Sequence, residues 1–342
     1  MIIKNQLKPI SLSILTLLVF FITGCKQPKK SEYIHIEGVA QGTTYHMTYE
    51  SADGKNYHSE IDSILRDFDK AVSVYIPKSV ISRINNNESG VEVSAYFEDV
   101  FKRSQEISQL TDGAFDVTVA PLVEAWGFGM KKQQPLDSNQ VDSLKSIIGY
   151  KRVRLQGKQL VKDDQRMALT FDAIAQGYSV DVISKYLESK GITTYLVEIG
   201  GEVFAKGVNA KGEQWKIGID KPQDNSDETN RELQAVVHLS GKALATSGSY
   251  RKFYVKNGIK YSHTIDPKTG YPVSHNLLSA SVLAPDCMTA DAIATAFMVF
   301  GLDKSIAFLK THPNLEAFFI YSDPAGKFQV YSTKGFEKIV VK

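Results

Sequence analysis

Apolar positions recur at three- and four-residue intervals in several stretches of the chain. In HSEIDSILRDFDKAVSVY the residues Ile61, Ile64, Leu65 and Phe68 share one face, which predicts an amphipathic helix. AYFEDVFKRSQEISQLTDG predicts a second helix, closed by Gly113, and QVDSLKSIIGY a short one. AIAQGYSVDVISKYLESKG predicts a long helix ending at Gly191; DAIATAFMVFG predicts one ending at Gly301, followed by DKSIAFLKTH. Alternation of period two marks other stretches. YIHIEGVAQGTTYHMTYE reads as two strands around a glycine kink and RVRLQGKQLVK as a hairpin. TTYLVEIGGEVFAKGV, QWKIGID, LQAVVHLSGKALATSGS and KFYVKNGIKYSH are β-rich, and EAFFIYSD and FQVYST read as terminal strands. Helices gather early and strands late, without steady βαβ alternation. The pattern predicts an α+β fold with a large, mainly antiparallel sheet and flanking helices. KPQDNSDETNRE is a charged surface excursion, and no linker divides residues 35–342, so one domain with a helical lobe is expected.

The first 24 residues break this pattern. Lys4 and Lys8 precede the apolar run ISLSILTLLVFFIT, too short for a comfortable transmembrane helix, and the run ends in ITGC. That ending looks like a bacterial lipoprotein signal, cut before Cys25 so that the new terminal cysteine carries lipid. An uncleaved anchor with an incidental cysteine would leave the same topology. Residues 25–34 then form a lipidated terminus and polar tether, and the rest is expected to be exported and held at the inner membrane, facing the periplasm.

Composition narrows the classes further. Hydrophobic residues at 43% and charged residues at 23% are ordinary for a globular chain and exclude disorder as the default. The formal net charge of +2 is matched by the two leader lysines alone. With no broad basic field and no Lys/Arg-rich run, nucleic acid is not an expected partner. The only cysteines are Cys25 and Cys287. Lipidation would consume the first, leaving no internal disulfide and Cys287 as a small core residue.

Common signatures of phosphate loops, dinucleotide folds, zinc proteases and dithiol sites are missing. ATSGS at 245–249 is not a nucleophile elbow. Its small hydroxyl-rich backbone suits either close approach to a ligand or a plain turn. HTIDPKTGYP, residues 263–272, holds Pro267, Gly270 and Pro272 and must be a shaped loop, with His263 leaving a strand end. Asp291 and Thr295 lie four apart on a predicted helix and present two oxygens on one face. They can hold a hard cation such as Mg²⁺; alternatively Thr289 caps the helix and Asp291 favours its dipole. In DAIAQGYSVD, small residues at a helix start permit close packing or a cation held by the Ala173 carbonyl. Phe115 and Asp116 in GAFDVTVAP stand either beside a planar ligand or in the core. The glycines of IGGEVFAKG either pack or make room for one.

Taken together, GTTY (42–45), VYIPKSVISRIN (74–85), GAFDVTVAPLVEAWGFG, AIAQGYSVD, VEIGGEVFAKG, ATSGSY, HTIDPKTGYP and ADAIATA follow one another as in the FAD:protein FMN transferases. The chain resembles this ApbE-like family over nearly all of its expected exported part. The resemblance implies binding of FAD and Mg²⁺, scission of the pyrophosphate, transfer of FMN to a threonine hydroxyl of a target protein, and release of AMP. It implies Asp291 and Thr295 as Mg²⁺ side-chain ligands, Ala173 as a ligand through its carbonyl, and Ala294 in the same turn. It places Gln41, Tyr75, Ala114, Phe115, Asp116, Asp172, Gln176 and Ile265 at FAD-contact positions, and His263 beside the reacting phosphate as general base or orienting donor. Asp291 serves catalysis through the metal. Targets by analogy are flavoprotein subunits of quinone- or ferredoxin-linked redox pumps.

Departures from the family pattern are local. Thr170 stands where an aspartate is usual, Asp172 lies two residues on, Gln176 replaces lysine or glutamate, and Gln41 replaces a frequent methionine. Two other functions fit the same residues: a metal-dependent FAD pyrophosphatase giving FMN and AMP, and a flavin-binding lipoprotein without catalysis. The pairing of Asp291 with Thr295 favours an enzyme over a carrier.

Overall fold

The computed structural model describes residues 31–130, 136–223, 232–250, 253–256 and 259–341. The leader, Cys25 and residues 25–30 of the tether lie outside the described residues, as do residues 224–231 of the charged excursion. Ser31–Lys342 form one compact unit.

The chain opens with the hairpin β1 (Glu32–Ala40) and β2 (Thr43–Ser51), then α1 (His58–Val72), α2 (Val80–Asn85) and α3 (Ala95–Leu110). A helical lobe follows: α4 (Ala120–Ala125) and α5 (Ser138–Lys145), leading to the hairpin β3 (Val153–Gln156) and β4 (Gln159–Lys162). Next come α6 (Ala175–Ser189), β5 (Tyr195–Ile199), β6 (Glu202–Lys206), β7 (Trp215–Asp220), β8 (Leu233–Leu239) and β9 (Lys242–Gly248). The hairpin β10 (Phe253–Lys256) and β11 (Ile259–Ser262) precedes β12 (Leu277–Ala284), α7 (Cys287–Phe300), α8 (Leu302–Thr311), β13 (Glu316–Ser322), β14 (Phe328–Ser332) and α9 (Lys334–Glu337).

Eight strands form one sheet in the order β1-β2-β5-β6-β9-β12-β13-β14, every adjacent pair antiparallel. The fold is therefore α+β, as the pattern predicted. Strand alternation feeds two cores. In β13, Ala317 and Phe319 face α7 and the main core, whereas Phe318 and Ile320 join Trp215, Val237 and Phe336 on the other face. Each fully buried side chain of the Phe319 kind contributes roughly 1.5–3 kcal/mol. A third, small core lies in the lobe, built from Leu122, Trp126, Val141, Ile148 and Ile265.

The structure departs from the sequence reading at three places. β12 was not anticipated: most of its residues are buried on both faces, so it carries no alternation. The early half of the chain also holds the β1–β2 edge of the main sheet, so helices and strands are less segregated than expected. Finally, Thr289 is not the cap of α7. Asp286 is, with its carboxylate accepting from the Thr289 N–H at 2.8 Å and also from the Thr289 hydroxyl. Among the described residues, no helix is long and apolar enough to cross a membrane.

Candidate functional site

Two walls enclose a cavity of about 310 Å³. The first is made by the start of α6 and the middle of α7. Phe171 O accepts from the N–H groups of both Ile174 and Ala175, turning residues 170–174 into the helix. Gly177 then packs against α7 so closely that an added Cβ would lie 2.3 Å from Cys287 O and 2.8 Å from the Asp291 Cβ. A glycine is required there by the approach of the two helices.

That approach places Asp291 in the cavity wall, 6% exposed, and as the fifth residue of α7 it lies beyond the first turn, contrary to the simple helix-dipole reading. Its Oδ2 accepts from Gly177 N at 3.1 Å. Burial pushes its carboxyl up to about 7, opposed by that hydrogen bond and reinforced by the charges of Asp172 and Asp181. Thr295 lies one turn further, its Oγ1 3.1 Å from Ser247 Oγ on β9, and Ala173 lines the same wall. Ala294 is fully buried in the main core and does not line the cavity.

The second wall comes from residues 114–128 and the loop after β11. Ala114, Phe115 and Asp116 all line the cavity. Asp116 holds its own turn: Oδ1 accepts from Thr118 N at 2.8 Å and Thr118 Oγ1 at 2.6 Å, and Oδ2 from Tyr150 N at 2.8 Å. Burial still raises its carboxyl above the usual range. Thr170 N donates to Val117 O at 2.8 Å, joining this wall to the α6 approach.

His263 follows β11 and lines the cavity, its ring 6.4 Å edge-on from Phe128. The loop beyond it is self-supporting. Asp266 N donates to Tyr271 O, Lys268 N donates to Asp266 Oδ1 at 2.8 Å, and Trp126 Nε1 donates to Gly270 O at 2.8 Å. Gly270 sits at φ +80, where a side chain would be strained and would also strike Val141 and Lys145. The aspartate of HTIDPKTGYP thus shapes the loop, while Ile265 and Pro267 present its inner edge to the cavity.

Tyr75 closes one rim at 56% exposure and donates to Asp172 Oδ2 at 3.2 Å; its phenol is pushed up to about 12 by burial and then by the Asp172 charge. Thr170, Asp172 and Gln176 all line the cavity, so the positions that vary from the family pattern face the same space. Gln41 does not line it. That residue sits at φ +54 in the β1–β2 turn, with its Oε1 accepting from Ser179 Oγ at 3.3 Å. It also hydrogen-bonds Asp69, which burial lifts to about 6.

Glu202, Thr246, Ser247 and Gly248 also line the cavity. Thr246, Ser247 and Gly248 belong to the ATSGS stretch, whose small polar backbone was the available signal. Glu202 was missed; its place immediately after the Gly200–Gly201 turn was the clue, and the structure buries it, 7% exposed.

No group of three or more His, Cys, Asp or Glu side chains suited to a metal occurs among the described residues. A cation here would instead rely on one carboxylate with neutral oxygens. That donor set is hard and suits Mg²⁺. The buried Asp291, lifted towards neutrality by desolvation, is the kind of carboxylate that a divalent cation would keep ionised.

The fold and site together define an α+β protein with a cleft lined by both oxygen-bearing and apolar side chains beside a loop histidine. Residues 41–319 match the ApbE family, and the chain belongs to that family. It is 35% identical over 333 residues to the FAD:protein FMN transferase of Vibrio cholerae, covering 95% of this chain and 97% of that one. Identity to the FAD:protein FMN transferase of Haemophilus influenzae is 36% over 326 residues, with coverage of 91% and 92%. The solved flavin transferase ApbE from Vibrio cholerae superimposes with a TM-score of 0.80 at 34% identity, over 90% of this chain and 99% of that structure. The apo Pseudomonas stutzeri flavinyl transferase ApbE gives a TM-score of 0.80 at 31% identity, over 90% and 97%.

Proposed function

We propose that this enzyme transfers FMN from FAD to a threonine hydroxyl of an acceptor protein, with Mg²⁺, releasing AMP. The observation that supports this reading is the convergence of Asp291, Thr295, Ala173, Gln176, Phe115, Tyr75, Ile265 and His263 on one cavity. Asp291 and Thr295 would hold Mg²⁺ through side-chain oxygens and Ala173 through its carbonyl. When bound, the cation supplies Lewis-acid neutralisation of phosphate charge.

The remaining work falls to this chain's own groups. Phe115 and Ile265 offer apolar surface to a planar ring, and Gln176 and Tyr75 offer polar contacts at the rim. His263 takes the proton of the threonine hydroxyl as its oxygen attacks the FMN phosphorus. The bond from that phosphorus to the bridging oxygen breaks, AMP leaves with the electron pair, and the acceptor keeps FMN as a phosphodiester.

The acceptors are taken to be subunits of quinone- or ferredoxin-linked redox pumps, and Cys25 is taken to carry the lipid that holds the enzyme at the membrane. Replacing Cys25 with Ser is expected to release the protein while leaving its transfer activity intact. Membrane retention of Cys25→Ser after leader removal would discard the lipid. The reaction itself is tested by incubating the full-length protein with FAD, Mg²⁺ and a candidate acceptor. In-gel flavin fluorescence on the acceptor, with matching AMP by chromatography, is the expected result. AMP with equal free FMN and an unlabelled acceptor would mean a pyrophosphatase; FAD bound but intact would mean a carrier.

A further inference from the structure

Asp181 on α6 is 7% exposed and does not line the cavity, yet its carboxylate is fully engaged. One oxygen accepts from Cys287 N at 2.8 Å and the other from Met288 N at 2.9 Å. These are the first two residues of α7, whose N–H groups have no acceptor within their own helix. Asp286 takes only the next one, at Thr289. In return, Asp291 on α7 accepts from Gly177 N in the first turn of α6. Each helix start is therefore held by a carboxylate from the other helix, and the absence of a Cβ at Gly177 allows the two to meet.

We infer that Asp181 is a positioning residue for the cation site: by gripping the start of α7 it sets the depth at which Asp291 and Thr295 stand against the Ala173 carbonyl. The inference rests on the reading of Asp291 and Thr295 as Mg²⁺ ligands. Asp291 and Thr295 lie one and two turns from the grip on a single rigid helix, so a slip at Cys287 carries both along. Mg²⁺ demands near-ideal octahedral geometry, and a ligand moved by a few tenths of an ångström binds it less well. The paired Asp181 contacts add directional resistance to such a slip along the helix axis, on top of the close packing of α6 on α7.

The test is calorimetric Mg²⁺ binding to the full-length protein in detergent, without FAD. Asp181→Asn keeps the side-chain volume but faces one N–H donor with another, so the grip loosens. Its Mg²⁺ dissociation constant is expected to rise by about 10–100-fold, in the range of supporting contacts around metal ligands. Excess Mg²⁺ is expected to restore most of the maximal transfer rate. Leu187→Ala, which removes buried packing near the end of α6, provides a destabilised control whose Mg²⁺ constant is expected to stay at the parent value. Equal Mg²⁺ constants in parent and Asp181→Asn would overturn the positioning role. A parent that binds no Mg²⁺ would overturn the metal reading itself, and the inference with it. Should Asp181→Asn not fold, amide exchange in the parent decides. The Cys287 and Met288 amides are expected to be slow and to slow further with Mg²⁺, and rates that ignore Mg²⁺ would overturn the role.

Discussion

The two walls of the cavity are built differently. The α6–α7 wall belongs to the main core: Ala292, Ile293 and Phe297 are fully buried, and backbone and side chain meet at distances only Gly177 permits. The opposite wall rests on the small lobe core and a file of aromatic rings. Trp126 stacks on Tyr261 at 5.9 Å, Tyr261 on Tyr254 at 5.0 Å and Tyr254 on Phe128 at 5.3 Å, with Phe128 set against His263. Trp126 also touches Tyr271, which is 42% exposed. On the proposed reading, oxygen ligands for a small cation must be fixed, and Asp291 and Thr295 would stand on the wall that belongs to the main core. On the same reading, the base that meets an incoming protein hydroxyl would be His263, which stands on the wall with the shallower core.

The largest effect separating the walls is expected at Asp291. Asp291→Ala removes the charged member of the Asp291–Thr295 pair, and loss of several kcal/mol of charge stabilisation corresponds to a fall in transfer of about 10⁴-fold. Flavin fluorescence on the acceptor measures it, and ordinary Mg²⁺ is not expected to rescue it. His263→Ala on the other wall is expected to cut transfer by about 10²–10⁴-fold with FAD binding little changed, since a general base acts on the proton and not on the flavin. Parent-like turnover would leave His263 as a loop-shaping residue. Thr295→Ala is expected to be milder, about 5–10-fold, because a neutral hydroxyl contributes about 1 kcal/mol where a carboxylate contributes more. A larger loss there than at Asp291 would contradict Asp291 as the charged ligand of the pair.

The legibility of the two walls also differs. The loops of the second wall announced themselves, because Pro267, Gly270 and Pro272 exclude regular structure and the HTIDPKTGYP stretch has few alternative conformations. The first wall gave its spacing but not its depth. Helical periodicity placed Asp291 and Thr295 on one face, yet α7 is apolar nearly all round, so no polar stripe showed which face was buried. Asp181 was invisible as a helix holder because its partners, the Cys287 and Met288 N–H groups, lie across the fold, whereas Asp286, three residues before Thr289, was a legible cap assigned instead to Thr289. β12 escaped altogether, because burial on both faces removes the alternation on which a strand assignment depends.

The smallest effect is the share of the pH dependence of stability that Asp181 contributes. Burial raises Asp181 from 3.8 to about 7, so the folded chain holds that proton more tightly than the unfolded one. The stabilisation from this protonation is full below about 4, declines between about 4 and 7, and is gone above. Denaturant unfolding of the metal-free protein is expected to show a midpoint falling over that window, with Asp181→Asn giving a flatter profile. An unchanged slope in Asp181→Asn would assign the dependence to other carboxylates, Asp291 among them.

The most direct measurement is a single-turnover reaction of the full-length protein with FAD and acceptor, following AMP release and acceptor mass together, with Mg²⁺ or with chelator. With Mg²⁺, one AMP is expected for each FMN gained by the acceptor; with chelator, neither forms. AMP released without a gain in acceptor mass, or full transfer in chelator, would contradict the account.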